Sequence, residues 1–245
     1  MPTKKTPVYS LYWSNLDKDI VDLQKKVFDH LGIPLVQELR DKMPHGIWMD
    51  DVIKRASDGD IVIIADIDAF PLNYAAYEKA ITSAANNEIF GLAQAANHLQ
   101  RDKIYAAPMF MAFKKKLWAD LGSPSLTDSL NLDAGQSLSE CAQKQGIPLR
   151  LCFPTACIKP KWPLHNRVVY CIGSFYENDF FHLFEARDRF GRDFSKDIFK
   201  AVADDLLNDR DLDFAKYLQY AKRKPLREFL RRKLNKLRKL WSERH

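Results

Sequence analysis

Asp66 and Asp68 are the residues whose type and spacing best suit chemistry. They stand one residue apart, directly after the continuous apolar run Ile61-Val-Ile-Ile-Ala65. Such a run marks a strand buried on both faces of an α/β sheet. In those sheets ligands bind at the carboxyl ends of strands. Carboxylates at i and i+2 of an extended chain end point to the same side. There they can share a hard cation, because Mg2+ and Mn2+ prefer oxygen ligands and are commonly held by one or two carboxylates plus substrate phosphates. The plainer reading is a polar strand exit with two solvated aspartates. The buried run weighs against it, since carboxylates drawn from water need a partner.

Other candidates carry competing readings. Asp133 opens a helical pattern and is either a first-turn acid favoured by the helix dipole or a general base for an acceptor hydroxyl. His182 lies inside Phe180-Phe-His-Leu-Phe184, where a histidine is ordinarily a core residue, and Asp179 could orient it. Lys159, Lys161, Arg167 and Arg187 could neutralise a leaving diphosphate or simply be solvated. Tyr12, Trp13 and Trp162 could stack on a base or sugar ring or pack in the core. His98 receives no role. Cys141, Cys152, Cys157 and Cys171 show no C-x-x-C spacing and are expected to be free thiols, as in a cytoplasmic protein.

These residues need a scaffold. Strand patterns cover Val8–Trp13, Pro34–Glu38, Ile61–Ala65, Ile89–Gln94, Tyr105–Phe113, Leu149–Phe153 and Val168–Ile172. Helical spacing covers Asp17–Leu31, Trp48–Ala56, Tyr74–Ala85, Lys114–Leu121, Asp133–Gln145, Phe194–Leu207 and Leu212–Tyr220. Phe180–Phe184 is apolar and fits either state. Strands alternating with helices predict a layered α/β domain.

The 245 residues carry a net charge of +6, and 46% are hydrophobic, which excludes wholesale disorder. Lys222–His245 holds 11 Lys/Arg and 2 Asp/Glu, so a tail of +9 follows a body of −3. Within it Leu226, Phe229, Leu230, Leu234, Leu237, Leu240 and Trp241 form one helical stripe. A basic amphipathic helix of this kind suits an anionic membrane surface. It could instead pack on the body or bind nucleic acid, although an acidic body speaks against nucleic acid. The expected division is 1–221 and 222–245. No apolar run approaches a membrane span, and the N-terminus lacks a signal-peptide pattern. Glycine is scarce, with no G-x-G-x-x-G or G-x-x-x-x-G-K-[ST], so bound phosphate needs another grip.

The segment I-V-I-I-A-D-I-D-A-F-P (Ile61–Pro71) resembles the central D-x-D motif of GT-A-type glycosyltransferases. The likeness extends by order of parts from Val8 to Arg187. Ala106–Trp118 resembles the strand and helix lining the acceptor side, Asp133–Leu138 the acidic start of the acceptor-facing helix, and Phe181–Phe184 the late segment whose histidine completes the metal site. The resemblance implies a Rossmann-type α/β/α sandwich with a mixed, mostly parallel sheet. It also implies a Mn2+- or Mg2+-dependent transfer of sugar from a nucleotide-diphosphate donor to a hydroxyl acceptor, on a lipid-linked or cell-surface glycan. Asp68 would ligate the metal directly, and Asp66 would contact ribose and, through water, the metal. His182 would be the third ligand and Asp133 the base, while Tyr12 and Trp13 would lie near the nucleotide base. The run Ile158-Lys-Pro-Lys-Trp162-Pro-Leu-His165 departs in spacing from the phosphate-binding segment of retaining members, which leaves His165 as an alternative to His182. Two competing functions are a non-catalytic membrane- or nucleic-acid-associated module and another metal-dependent transferase or phosphatase.

Overall fold

The structure is a computed structural model that describes residues 5–96, 100–164, 169–184, 186 and 193–222. The tail expected over 222–245 lies outside them from residue 223 onward, as do His98, His165, Arg167 and Arg187.

The fold is α/β, as expected. Six strands form the central sheet: β1 (Val8–Tyr12), β2 (Leu35–Leu39), β3 (Ile61–Ala65), β5 (Ile89–Ala96), β6 (Gln100–Lys114) and β7 (Leu149–Cys152), in the order β2-β1-β3-β6-β5-β7. Only β6 runs antiparallel to its neighbours; the β1–β2, β1–β3 and β5–β7 pairs are parallel. A second, antiparallel sheet has the order β4-β10-β9-β8, from β4 (Ala69–Pro71), β8 (Pro154–Pro163), β9 (Val169–Tyr176) and β10 (Phe180–Leu183). The sequence patterns pointed to part of β9 through Val168–Ile172, but showed neither β4 nor the pairing of this sheet. Three residues are too few for a period, and β10 is buried at every position, so it has no alternation to display.

Each face of the central sheet buries its own core. Ile63 and Ala65 of β3 join Ile20, Val27 and Phe28 of α1 (Lys18–His30) and Ala76, Tyr77 and Ala80 of α3 (Tyr74–Ala85). Val62 and Ile64 join Trp48, Met49 and Val52 of α2 (His45–Arg55), Trp118 of α4 (Lys115–Asp120) and Leu138 of α5 (Gln136–Lys144). The period of two along β3 thus supplies both faces, giving three layers. Helices α6 (Asp193–Leu207) and α7 (Phe214–Lys222) complete the first of these cores through Phe199 and Tyr217.

Local chemistry sets the boundaries. Asp17 caps α1 by accepting from the Asp19 amide at 3.0 Å, and Asn73 caps α3 by accepting from the Ala76 amide at 2.8 Å. The helix expected from Asp133 begins three residues later. Its cap is Gly135, held at φ +79, a conformation that glycine adopts without strain. Asp133 is therefore neither the cap nor a first-turn residue.

The expectation of four free thiols is corrected. Cys157 and Cys171 form a disulfide across β8 and β9, with Cα atoms 5.6 Å apart. Antiparallel pairing, not local spacing, brings them together. Cys141 and Cys152 are free thiols, and burial pushes the Cys152 thiol up to about 12, with Glu177 adding to the effect. No helix among the described residues is long and apolar enough to cross a membrane.

Candidate metal centre

The apolar run of β3 ends at Ala65, and the chain turns at once. The Ala69 amide donates to the Asp66 carbonyl at 3.1 Å, closing a β-turn over residues 66–69. The side chains of Asp66 and Asp68 thus converge through a turn and not along an extended chain end. The buried side chain of Ile67 anchors the turn from below. Backbone bonds tie it on two sides, from the Asp66 amide to the Met109 carbonyl at 3.1 Å and from the Leu183 amide to the Asp68 carbonyl at 2.9 Å.

The second tie brings in β10, where His182 pairs with Ala69 across the strands. Phe181 packs on Phe70 and Phe175, with ring centroids 5.4 and 5.0 Å away, which fixes the strand from the opposite face. At the far end Lys79 of α3 donates to Glu177 and Asp179 in the β9–β10 turn, at 2.7 and 2.8 Å. Burial raises the Glu177 carboxyl, but the Lys79 ammonium outweighs it and holds the group below its usual range.

His182 is 2% exposed. Its Nε2 stands 3.5 Å from Asp68 Oδ1 and 3.6 Å from Asp66 Oδ2. Its Nδ1 is buried with no hydrogen-bond partner among the described residues, and the ring meets Phe184 edge-on at 4.1 Å. One ligand atom from each of Asp66, Asp68 and His182 lies within 4.8 Å of the others. Separations of 3.5 and 3.6 Å are too long for good hydrogen bonds. They approach the ~3 Å between neighbouring ligands of an ion bound at about 2.1 Å. The two carboxylates suit Mn2+ or Mg2+ in donor type, and the imidazole favours the transition-metal ion, Mn2+. The residues therefore fit a divalent ion.

The three side chains open into a cleft of about 270 Å³, also lined by His45, Gln94, Tyr105, Pro108 and Asp133. Among the described residues its lining gathers three carboxylates and two imidazoles. Carboxylates gathered this closely attract a cation. Asp133 is held firmly. Its Oδ2 accepts from the Tyr105 hydroxyl at 2.8 Å and from Gln94 Nε2 at 3.3 Å, and its Oδ1 accepts from the Ala134 amide at 2.9 Å. Neither Gln94 nor Tyr105 stood out in the sequence. They are register partners on β5 and β6, and that pairing has no local signature. His45 was also missed. It opens α2, stacks on Trp48 at 5.6 Å and places Nε2 3.5 Å from Asp66 Oδ1.

The remaining candidates stand elsewhere. Leu11 lines the cleft, but Tyr12 and Trp13 do not. Tyr12 packs against the α1 core, and the Trp13 indole donates to the Met43 carbonyl at 3.2 Å. Lys159 is exposed on β8 with φ +58, away from the cleft lining. Lys161 and Trp162 lie in β8, and their side chains are outside the described set.

No protein-family model matches the chain, and no curated protein matches it. Among solved structures the chain is similar to a mannosyltransferase from Pyrobaculum calidifontis in complex with GDP-Man and Mn2+. The TM-score is 0.44 at 12% identity, over 90% of this chain and 74% of that one. It is similar to 4-diphosphocytidyl-2C-methyl-D-erythritol synthase from Anaerococcus prevotii, with a TM-score of 0.40 at 9% identity, over 60% of this chain and 88% of that one. It is also similar to a glucose-1-phosphate thymidylyltransferase, so described, from Bacillus anthracis in complex with sucrose. There the TM-score is 0.33 at 12% identity, over 58% of this chain and 65% of that one.

Proposed function

We propose that the protein is a metal-dependent glycosyltransferase that moves a sugar from a nucleotide-diphosphate donor to a hydroxyl acceptor. One observation carries this reading: Asp66, Asp68 and His182 converge in the same cleft as the firmly held Asp133. Asp66, Asp68 and His182 would hold Mn2+ or Mg2+, and such an ion would supply positive charge to a departing diphosphate. Asp133 takes the proton of the acceptor hydroxyl. The bond from the anomeric carbon to the diphosphate oxygen breaks as the bond to the acceptor oxygen forms, and the nucleoside diphosphate leaves. Attack assisted by a base in this way belongs to transfer with inversion at the anomeric carbon. Tyr105 and Gln94 fix the carboxylate in the cleft, so its direction is set before substrate arrives.

The donor base lies beyond Leu11, at the carboxyl end of β1, where Tyr12 and Trp13 stand. The basic segment 222–245 rests on an anionic membrane surface, where each Lys or Arg contributes about 1 kcal/mol. That position suits a lipid-linked or surface glycan as acceptor. Titration calorimetry with Mn2+ and a panel of UDP-, GDP- and CDP-sugars tests the reading. Metal-dependent binding that is lost in Asp68→Ala supports it. No heat with any donor, or binding unchanged in Asp68→Ala, contradicts it.

A further inference from the structure

Helix α1 presents Ile20, Val21, Val27 and Phe28 to the core, and among them it buries a glutamine, Gln24. A fully buried amide is costly unless every polar atom finds a partner. Here each does. Gln24 Nε2 spends its two hydrogens on two carbonyls, Asp66 at 2.7 Å and Ala69 at 2.9 Å. These are the first and last residues of the turn that carries Asp66 and Asp68. Gln24 Oε1 accepts from Gln37 Nε2 at 3.0 Å, and the second Gln37 hydrogen goes to the Val21 carbonyl at 2.9 Å. The chain of bonds sets the amide's direction. Turned over, the Gln24 oxygen would face two carbonyl oxygens, and none of the three can donate.

An apolar residue of similar length would serve the α1 core at least as well. Gln24 adds a clamp across both ends of one tight turn, from a helix otherwise committed to the core. Ser10, the register partner of Gln37 on β1, is also buried, and its Oγ has no partner among the described residues. The seam beneath the turn is thus polar where ordinary packing would be apolar.

We propose that Gln24, oriented by Gln37, is a positioning residue for the metal centre. It acts through the Asp66 and Ala69 carbonyls to hold the two carboxylates at the spacing an ion needs. The inference rests on the reading of Asp66, Asp68 and His182 as a metal site. Partners of this kind around a metal typically change its affinity by about 10–100-fold when removed.

The test measures Mn2+ affinity of the full chain by electron paramagnetic resonance, with thermal unfolding of each variant in parallel. Gln24→Met keeps length and removes the amide. Gln37→Met removes only the orienting bond, so it decides the matter if Gln24→Met does not fold. Val27→Ala destabilises the same buried face of α1 and removes none of the hydrogen bonds to the turn. Asp68→Asn checks the site itself. The proposal expects Mn2+ binding about tenfold weaker or more in Gln24→Met, a smaller weakening in Gln37→Met and wild-type affinity in Val27→Ala. Wild-type affinity in Gln24→Met, or a loss no greater than in Val27→Ala, overturns the positioning role. If Gln24→Met does not fold, wild-type affinity in Gln37→Met overturns it. Wild-type affinity in Asp68→Asn instead overturns the metal-site reading, so the two failures are told apart.

Discussion

His182 Nε2 stands 3.5 Å from Asp68 Oδ1, and the amide of the next residue, Leu183, donates to the Asp68 carbonyl. The imidazole and the carboxylate are therefore held at a fixed spacing by backbone as well as by packing. Removing either side chain should take away a metal ligand with little movement of the turn. His182→Ala and Asp68→Asn are each expected to weaken Mn2+ binding about tenfold or more. Fluorescence or calorimetric titration of the metal measures this. Unchanged affinity in both variants would remove the basis for a shared ion.

Asp133 offers a different signature. Its Asn variant keeps the size of the side chain and loses the base. Turnover should fall by about 10²–10⁴-fold, while donor affinity stays near the wild-type value. Tyr105→Phe leaves the carboxylate in place and removes one of its three donors, so a milder loss of about tenfold is expected. Steady-state kinetics alongside donor titration separates the two. Weakened donor binding in Asp133→Asn would assign the residue to the donor side.

The start of α2 depends on one small residue. A Cβ on Gly46 would lie 2.3 Å from Thr127 Cα and 2.6 Å from the Leu126 carbonyl oxygen, both backbone atoms. Gly46→Ala must push α2 away from the 122–135 segment and carry His45 away from Asp66. A loss of about 1–3 kcal/mol is expected from the overpacking, with weaker metal binding. Chemical denaturation and metal titration read the two effects independently. A variant as stable as wild type would show that α2 can shift freely.

Asp205 is a buried carboxylate bonded to Lys216 at 2.7 and 2.8 Å and to Tyr217 at 2.8 Å, with Arg210 3.2 Å away. Burial raises its affinity for a proton, but the Lys216 ammonium and the Tyr217 hydroxyl outweigh burial, so the group titrates below its usual range. A depressed folded-state value means stability that is present above the unfolded value and lost as pH falls through the folded one. Asp205→Asn should cost about 1–3 kcal/mol at pH 7. The gap from wild type should narrow as pH drops below about 4. Urea unfolding at several pH values measures it, and a constant gap from pH 7 to 3 would refute the assignment.

The fold class was legible because Ile61–Ala65 is apolar on both faces and the helices around it keep a clear 3.6-residue stripe. Asp66 and Asp68 were legible from that same run. The resemblance pointed to His182 and Asp133, and the structure sets both in the cleft beside the aspartates. What escaped depends on pairing between distant segments. Gln94 meets Tyr105 only through β5–β6 register, Cys157 meets Cys171 only through β8–β9, and β4 is too short to show a period. Gln24 escaped for a different reason. A lone glutamine on an apolar helix face is read as a breach of pattern, and its value is visible only once the carbonyls of the turn lie beneath it.

The most direct measurement is a donor-hydrolysis screen on the full chain, with UDP-, GDP- and CDP-sugars, Mn2+ or Mg2+, and Asp68→Asn as the control. Release of nucleoside diphosphate from one donor class, dependent on the metal and abolished in Asp68→Asn, is the expected result. No metal-dependent hydrolysis of any donor, or hydrolysis that persists in Asp68→Asn, would contradict the assignment of this cleft to metal-dependent sugar transfer.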